Sequence, residues 1–313
     1  MKKLAIFALS LLATAAAAQE DPYRSALYTH NDVEIRTTKE NEDEIVFTAH
    51  KDKPGKYSLC IAFDKSSRAS ARDIVTVLNS STAEVARIKI DPEHGYPGYS
   101  FSYYPGVVNG RIKNDFTYRL PFEGETKRRV RIFKYDTPES RGDRNDIIDH
   151  VAYAFTASKD DDVYAIRKGR VAKIEDTQWF LKGVAEDMIL RKANKQVSIE
   201  HEDGTTAHYA GIMDGTLTVE PGDTVYPDTK LGKAGTLNEE RYEIRVSMDY
   251  LTAPLKGAVP DFKQVKRNVL DPYFLTKDGP VRLKDGVEYE CVVTDKLVTE
   301  EMTKREQKNR NKK

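Results

Sequence analysis

The side chains best placed for chemistry alternate along one short segment, as Arg241, Glu243 and Arg245. Successive side chains of a β-strand point to opposite faces, so these three charged groups share one face and the apolar residues between them share the other. Two interpretations are open. The guanidinium groups pair with the carboxylate between them, or they bind a carboxylate that belongs to a ligand.

Cysteine chemistry is limited to Cys60 and Cys291. Two thiols are too few for a structural zinc site built on cysteines. A single disulfide and two unpaired, buried thiols both remain open.

The elements that position these groups are predicted to be β-strands, because alternation of apolar and polar residues runs through most of the chain. Period-two alternation with turn clusters between short segments predicts a β-sandwich over residues 19–135. The Tyr-rich segment Gly95–Gly106 fits either an aromatic recognition loop or a half-buried strand, and the alternation favours the strand. The polar residues 136–146 predict a linker. A helix is predicted near Gly183–Asn194.

From Ile147 the alternation resumes, with glycine-containing turns such as Asp203-Gly204 and the segment Val219–Val225 (VEPGDTV). Such turns join short antiparallel strands. The pattern predicts a small antiparallel β-barrel or sandwich, so the whole chain is predicted to be all-β.

An ordered series of short motifs resembles the lysostaphin-like zinc endopeptidases, which carry the duplicated hybrid motif and cut peptidoglycan. The resemblance covers residues 147–275 and implies their fold. The matching segments are Val163-Tyr-Ala165, Gly169-Arg-Val171, Val197–Gly204 (VSIEHEDG), Tyr209-Ala210, Val219–Val225, Leu231-Gly232, Gly235 and Leu270-Asp271-Pro272.

The resemblance also implies where catalytic residues would stand. The zinc-binding histidine falls on His150, but the zinc-binding aspartate falls on Ala154 and the His-x-His pair falls on Arg241 and Glu243. The further catalytic histidine falls on Gly211. Three protein ligands and an open position are needed to activate a zinc-bound water, so no catalytic residues and no cofactor are expected.

An alternative keeps the zinc through displaced ligands, with His150 and Glu243 as a weak pair. Asp149 and Asp160–Asp162 could add groups, although such a run is typical of a solvated turn. His208 lies three residues from Gly211 and therefore faces the other way. The groove residues that could bind a ligand are His150, Tyr209, Arg241, Glu243 and Arg245.

The first residues, MKKLAIFALSLLATAAAAQE, are typical of a signal peptide ending at Ala18, so the protein is expected to be exported to the periplasm or secreted. No later segment is apolar enough for a transmembrane helix. The formal charge is balanced, with 50 basic and 50 acidic residues, which gives no reason to expect nucleic acid as a partner. Residues 276–299 are expected to form C-terminal strands and residues 300–313 a solvated basic tail.

Three functions fit these observations. The first is a non-catalytic envelope protein that binds peptidoglycan or regulates a cell-wall enzyme or another envelope protein. The second is an active zinc endopeptidase with displaced ligands, and the third is a structural envelope protein. Bound metal separates the first two, and partner binding separates the first from the third.

Overall fold

The computed structural model describes residues 32–41, 43–64, 72–89, 98–135, 150–177, 194–238 and 241–310. The predicted signal peptide and the linker lie outside these residues. So does the helix expected near Gly183–Asn194, except for Asn194, which begins a strand. The described residues form twenty-three strands and two short α-helices, which confirms the all-β prediction.

The chain divides into two compact units. The first consists of residues 1–53, 59–76 and 80–103, and the second of residues 54–58, 77–79 and 104–313. Strands β1–β6 are Val33–Asn41, Glu44–Lys51, Tyr57–Phe63, Ile74–Leu78, Thr82–Lys89 and Tyr99–Pro105.

Two three-stranded sheets, of order β1-β2-β5 and β4-β3-β6, account for these strands. Within the first unit, the buried ring of Phe47 on β2 meets Phe63 on β3 and Tyr99 on β6 edge to face, with centroids 5.5 and 5.1 Å apart. The Tyr-rich segment therefore contains a strand, and one of its rings contributes to the core.

The strands that follow are β7 Thr117–Arg119, β8 Lys127–Tyr135, β9 His150–Ala157, β10 Asp162–Tyr164, β11 Gly169–Asp176, β12 Asn194–Glu200, β13 Thr205–Met213, β14 Thr224–Val225, β15 Lys230–Lys233 and β16 Thr236–Asn238. The remaining strands are β17 Arg241–Thr252, β18 Leu255–Lys256, β19 Val259–Pro260, β20 Lys266–Val269, β21 Tyr273–Thr276, β22 Gly279–Val281 and β23 Glu288–Glu290. Residues Phe262–Gln264 form a 3₁₀ turn. The helices are α1 Asp295–Thr299 and α2 Lys304–Arg310.

A ten-stranded sheet forms the centre of the second unit. Its main order is β14-β11-β12-β13-β17-β9-β8-β23, and β16 and β20 also pair with β17. It is open among the described residues, with β14 and β23 at its two ends, so a sheet and not a closed barrel is observed. One face carries the core, which continues onto Phe122 and Phe274.

The sheet places β8 differently from the sequence prediction, which assigned residues 19–135 to the first domain. Strand β8 is antiparallel to β9, with Arg131 opposite Ala154. Val130 of this strand is fully buried in the core of the second unit. Alternation predicts a strand correctly but does not say which sheet the strand joins, and here the next strand along the chain is its partner.

The C-terminal segment contains strands β22 and β23 within residues 276–299, where strands were expected, but it also contains two helices that were not expected. Helix α1 begins after Thr294, whose hydroxyl accepts from the backbone N–H of Leu297, and it buries Leu297 and Val298. Beyond it, the carboxylate of Glu301 accepts two hydrogen bonds from the fully buried guanidinium of Arg167, at 2.9 and 2.7 Å. Ion pairing with a buried arginine therefore anchors this end of the chain.

Both cysteines are free thiols and both are buried. Burial is the main cause that raises the pKa of each thiol. The alternative of two unpaired, buried thiols is the one the structure contains. The described helices include no segment that is both long and apolar enough to cross a membrane.

Candidate functional site

The three adjacent strands β8, β9 and β17 bring the charged residues together. Ala154 on the central strand lies opposite Arg131 on one side and Arg245 on the other. Thr156 lies opposite Glu243 in the same ladder. Directly opposed residues project to the same face of a sheet, so these five residues share one face.

The opposite face carries the core, with Tyr153 paired to Val246. Tyr209 also pairs with Val246 and is therefore on the core side, fully buried. Its hydroxyl accepts a hydrogen bond from the backbone N–H of Ile166 at 2.8 Å, and burial raises the pKa of the phenol. The assignment of Tyr209 to the binding groove was wrong, because its position in β13 places it on the other face.

Glu243 is the centre of the site, and its side chain is only 1% exposed. Oε2 accepts from Arg131 Nη2 at 2.5 Å and from Arg241 Nη2 at 3.0 Å. Oε1 accepts from Arg245 Nε at 2.8 Å. The pairing of Glu243 with its two neighbours on the strand is therefore present, and a third guanidinium from β8 completes the cluster.

An aromatic ring fixes two of these arginines. The guanidinium carbons of Arg131 and Arg245 lie 5.0 and 4.6 Å from the centroid of the Phe133 ring. Cation–π contact and ion pairing together restrict the rotamers of both arginines. Arg131 and Phe133 are the residues that the sequence analysis missed. Alternation along Lys127–Lys134 shows that the two share a face, but the sequence does not show that this face joins that of Glu243.

The described residues at the expected metal positions do not fit zinc. Ala154 offers no donor atom, and both oxygens of Glu243 already accept from guanidinium groups. Three positive charges around that carboxylate oppose a cation. No group of three His, Cys, Asp or Glu side chains that could hold a metal ion occurs in the part of the chain that the structure describes. His150 begins β9, and its side chain is not among the described groups.

Gly211 stands where the further catalytic histidine would fall, and its backbone excludes a simple replacement. Its φ is +99°, a conformation that residues with a Cβ rarely adopt. Its carbonyl accepts from the N–H of Gly235 at 2.7 Å, and its N–H donates to Thr177 Oγ1 at 3.3 Å. Gly211 therefore contributes backbone hydrogen bonds and no titratable side chain.

His208 belongs to a second polar cluster on the sheet face that carries Glu243. Its Nδ1 is 2.8 Å from Ser198 Oγ, and its Nε2 is 3.1 Å from Asp249 Oδ2. Both ring nitrogens therefore have partners within the sheet. Ser198 is buried, and this arrangement holds β12, β13 and β17 together.

His201 is a buried histidine outside the face of Glu243. Its Nδ1 lies 2.9 Å from the carbonyl of Lys168, so this nitrogen carries the proton and donates. Burial, together with the nearby charge of Arg167, lowers the pKa of His201 to about 4. The ring is neutral at physiological pH and has a structural role.

In the acidic run Asp160–Asp162, the side chains of Asp161 and Asp162 pair with basic residues. Asp161 contacts Arg128 at 2.7 Å, and Asp162 contacts Lys230 at 2.7 Å and Lys233 at 3.3 Å. Its hydrogen bonds and ion pairs lower the pKa of Asp162, against the opposing effect of desolvation. The run was expected to form a solvated turn, and the structure adds ion pairs at Asp161 and Asp162.

No protein-family model matches the chain, and no curated protein matches it in sequence. Similar solved structures include a protein assigned as the glycyl-glycine endopeptidase LytM of Ruminococcus gnavus, with 15% identity, a TM-score of 0.25, and 49% of this chain and 57% of that one covered. Csd3 of Helicobacter pylori is similar at 12% identity and a TM-score of 0.29, over 90% of this chain and 77% of that one. A zinc-containing peptidase of Vibrio cholerae is similar at 12% identity and a TM-score of 0.26, over 69% and 81%. The chain spans just over half the length of the LytM structure.

Proposed function

We propose that this chain is an exported cell-envelope protein whose second unit is peptidase-like but does not hydrolyse peptide bonds. In this proposal it binds peptidoglycan, or it binds and regulates an enzyme or another protein of the cell wall. The motif series of residues 147–275 supplies the link to peptidoglycan, and the predicted signal peptide supplies the link to the envelope.

The single observation that carries the proposal is the ion cluster of Glu243. Where the motif series would place two histidines, the chain has Arg241 and Glu243, and their side chains bond to each other. Where the series would place an aspartate, Ala154 lies between Arg131 and Arg245. A guanidinium–carboxylate cluster has neither an open coordination position nor a base free to activate water.

The first test is metal content and cleavage. The exported form, purified without chelators, is analysed for zinc by mass spectrometry and incubated with peptidoglycan sacculi and muropeptides. We expect well under one zinc per chain and no new cleavage products. One zinc per chain together with cleavage would support the alternative of a peptidase with displaced ligands and would overturn the proposal.

Sedimentation with purified sacculi and capture from an envelope extract form the second test. We expect the protein to sediment with sacculi or to retain a cell-wall enzyme or envelope protein. A protein that does neither, and that leaves the activity of cell-wall hydrolases unchanged, fits the structural alternative.

A further inference from the structure

Two exposed guanidinium groups share one carboxylate in the ion cluster around Glu243. Arg131 and Arg241 both contact Glu243, so among these three residues the positive charges outnumber the negative charge by one. Within the described residues, Glu243 is the sole carboxylate that Arg131 and Arg241 contact.

The three arginines of the cluster differ in how far their side chains are exposed to solvent. The side chain of Arg245 is 12% exposed, whereas those of Arg131 and Arg241 are 38% and 45% exposed. Each guanidinium has five N–H donors. The hydrogen bonds to Glu243 use a single donor of Arg131 and a single donor of Arg241. Both residues therefore present further donors at the surface.

The same oxygen of Glu243 holds these two guanidinium groups close together. Their Nη2 atoms both bond to Oε2, so the two nitrogens can be no further apart than the sum of those two short distances. Two like charges at this separation repel each other, and an anion that bridges them relieves the repulsion. Phe133 fixes the guanidinium of Arg131 from one side, which reduces the entropy lost when a ligand binds.

The small side chain of Ala154 explains why Arg131 can take part. Strands β8 and β17 are separated by β9, and Arg131 crosses this strand at Ala154 to reach Glu243. A longer side chain at position 154 would occupy that path. The two surface-exposed arginines therefore come from strands on either side of a central alanine.

We propose that Arg131 and Arg241 bind the carboxylate of a peptide, with Glu243 and Phe133 as positioning residues. Guanidinium groups match a planar carboxylate through paired hydrogen bonds. Arg131 and Arg241 each spend one donor on Glu243 and keep others for such a pair. In naming a cell-wall peptide as the source of that carboxylate, the inference rests on the proposed function. Binding itself depends only on the chemistry of the two arginines.

The test is a calorimetric titration of the exported protein with acetyl-D-alanyl-D-alanine and with the same peptide carrying a C-terminal amide. We expect saturable binding of the acid and binding of the amide that is weaker by about tenfold or more, since the charge-assisted hydrogen bonds are lost. Equal binding of the two peptides, or no saturation by the acid at millimolar concentration, would overturn the inference.

Substitutions of the two arginines test whether the peptide carboxylate binds at this position. Arg131→Gln and Arg241→Gln are each expected to weaken binding of the acid by about tenfold. Arg36→Gln is the matched control, because Arg36 is also a strand arginine paired with one glutamate but lies in the first unit. It is expected to leave the affinity unchanged. Thermal unfolding of every variant verifies that the fold is intact, and an unchanged affinity in both site variants would contradict the assignment.

Inorganic phosphate and acetate, used as competitors, distinguish the source of the anion. Acetate is expected to compete at least as well as phosphate. Stronger competition by phosphate would overturn the assignment of the site to carboxylates.

The proposed function and the proposed carboxylate site can fail separately. Zinc-dependent cleavage would overturn the proposed function alone, whereas sacculus binding that survives in both arginine variants would overturn the carboxylate site alone.

Discussion

His201 is a residue whose protonation the fold opposes. The pKa of His201 is about 4 in the folded chain, against an ordinary value near 6.5. Between these values the unfolded chain binds a proton that the folded chain does not. Keeping the His201 ring neutral therefore costs no stability above pH 6.5. The cost grows as the pH falls toward 4, so the folded chain loses stability over this range. We expect the free energy of unfolding of the second unit to decrease by up to about 3 kcal/mol over this range.

Hydrogen exchange of the β12–β13 hairpin at a series of pH values measures this loss. The variant His201→Gln should show a smaller decrease between pH 6.5 and 4.5, whatever its stability at pH 7. His50→Asn in the first unit is the control and should keep the decrease. A decrease that is identical in His201→Gln and in the unaltered protein would show that another group causes it.

At the residue scale, the sequence predicted the site in part. Alternation alone placed Arg241, Glu243 and Arg245 on one face, and their pairing is local to one strand. The contribution of Arg131 could not be predicted, because Arg131 and Glu243 are more than one hundred positions apart and meet only through the register of three strands. Tyr209 was misassigned for the same kind of reason, since a motif fixes its position in the chain and not its face.

At the scale of elements, ion pairs attach the C-terminal helices and the segment between them to the rest of the second unit. Arg167 is fully buried and meets Asp203 at 2.8 Å and Glu301 at 2.7 Å. The charge of Arg167, with other hydrogen bonds, outweighs desolvation and lowers the pKa of Asp203 to about 2. Glu306 similarly bonds to Lys168 and Tyr226.

We expect Glu301→Gln to destabilise the second unit by about 2 kcal/mol, because Arg167 would keep Asp203 but lose the carboxylate that accepts two of its hydrogen bonds. Urea unfolding followed by circular dichroism measures the change. Glu300→Gln is the matched control, since the neighbouring Glu300 is exposed. Equal stabilities of the two variants would mean that the buried pair contributes no more than a surface charge.

These helices were not predicted, and the reason is physical. Residues 300–313 contain few apolar side chains, and composition alone indicates a solvated segment. Glutamates at positions 301 and 306 stabilise the docked segment by meeting a buried arginine and a lysine that lie more than 130 residues earlier. Composition does not reveal such long-range ion pairs.

At the scale of the whole molecule, the second unit is larger than the region of family resemblance. It takes in β7 and β8, whose neighbourhood buries Phe116, Tyr118, Leu120, Phe122 and Val130. A fragment of residues 104–313 keeps these side chains. A fragment of residues 136–313 loses them, together with the strand that pairs with β9.

We expect the fragment 104–313 to unfold cooperatively on heating and the fragment 136–313 to lack a cooperative transition, since the latter exposes both a sheet edge and part of the core. Circular dichroism and proton NMR of the two fragments provide the measurement. A stable fold of the shorter fragment would restore the boundary that alternation suggested, with residues 19–135 as a separate domain.

Because Arg131 lies over Ala154, single substitutions would not convert this site into a metal site. Introducing aspartate at position 154 first would place a second carboxylate between Arg131 and Arg245, which strengthens the ion cluster and does not free a metal ligand. Removing Arg131 first would leave Glu243 bonded to Arg241 and Arg245. Several replacements must therefore occur together before any intermediate binds a cation, so protein engineering toward a metallopeptidase would have to begin with the arginines and not with the missing ligand.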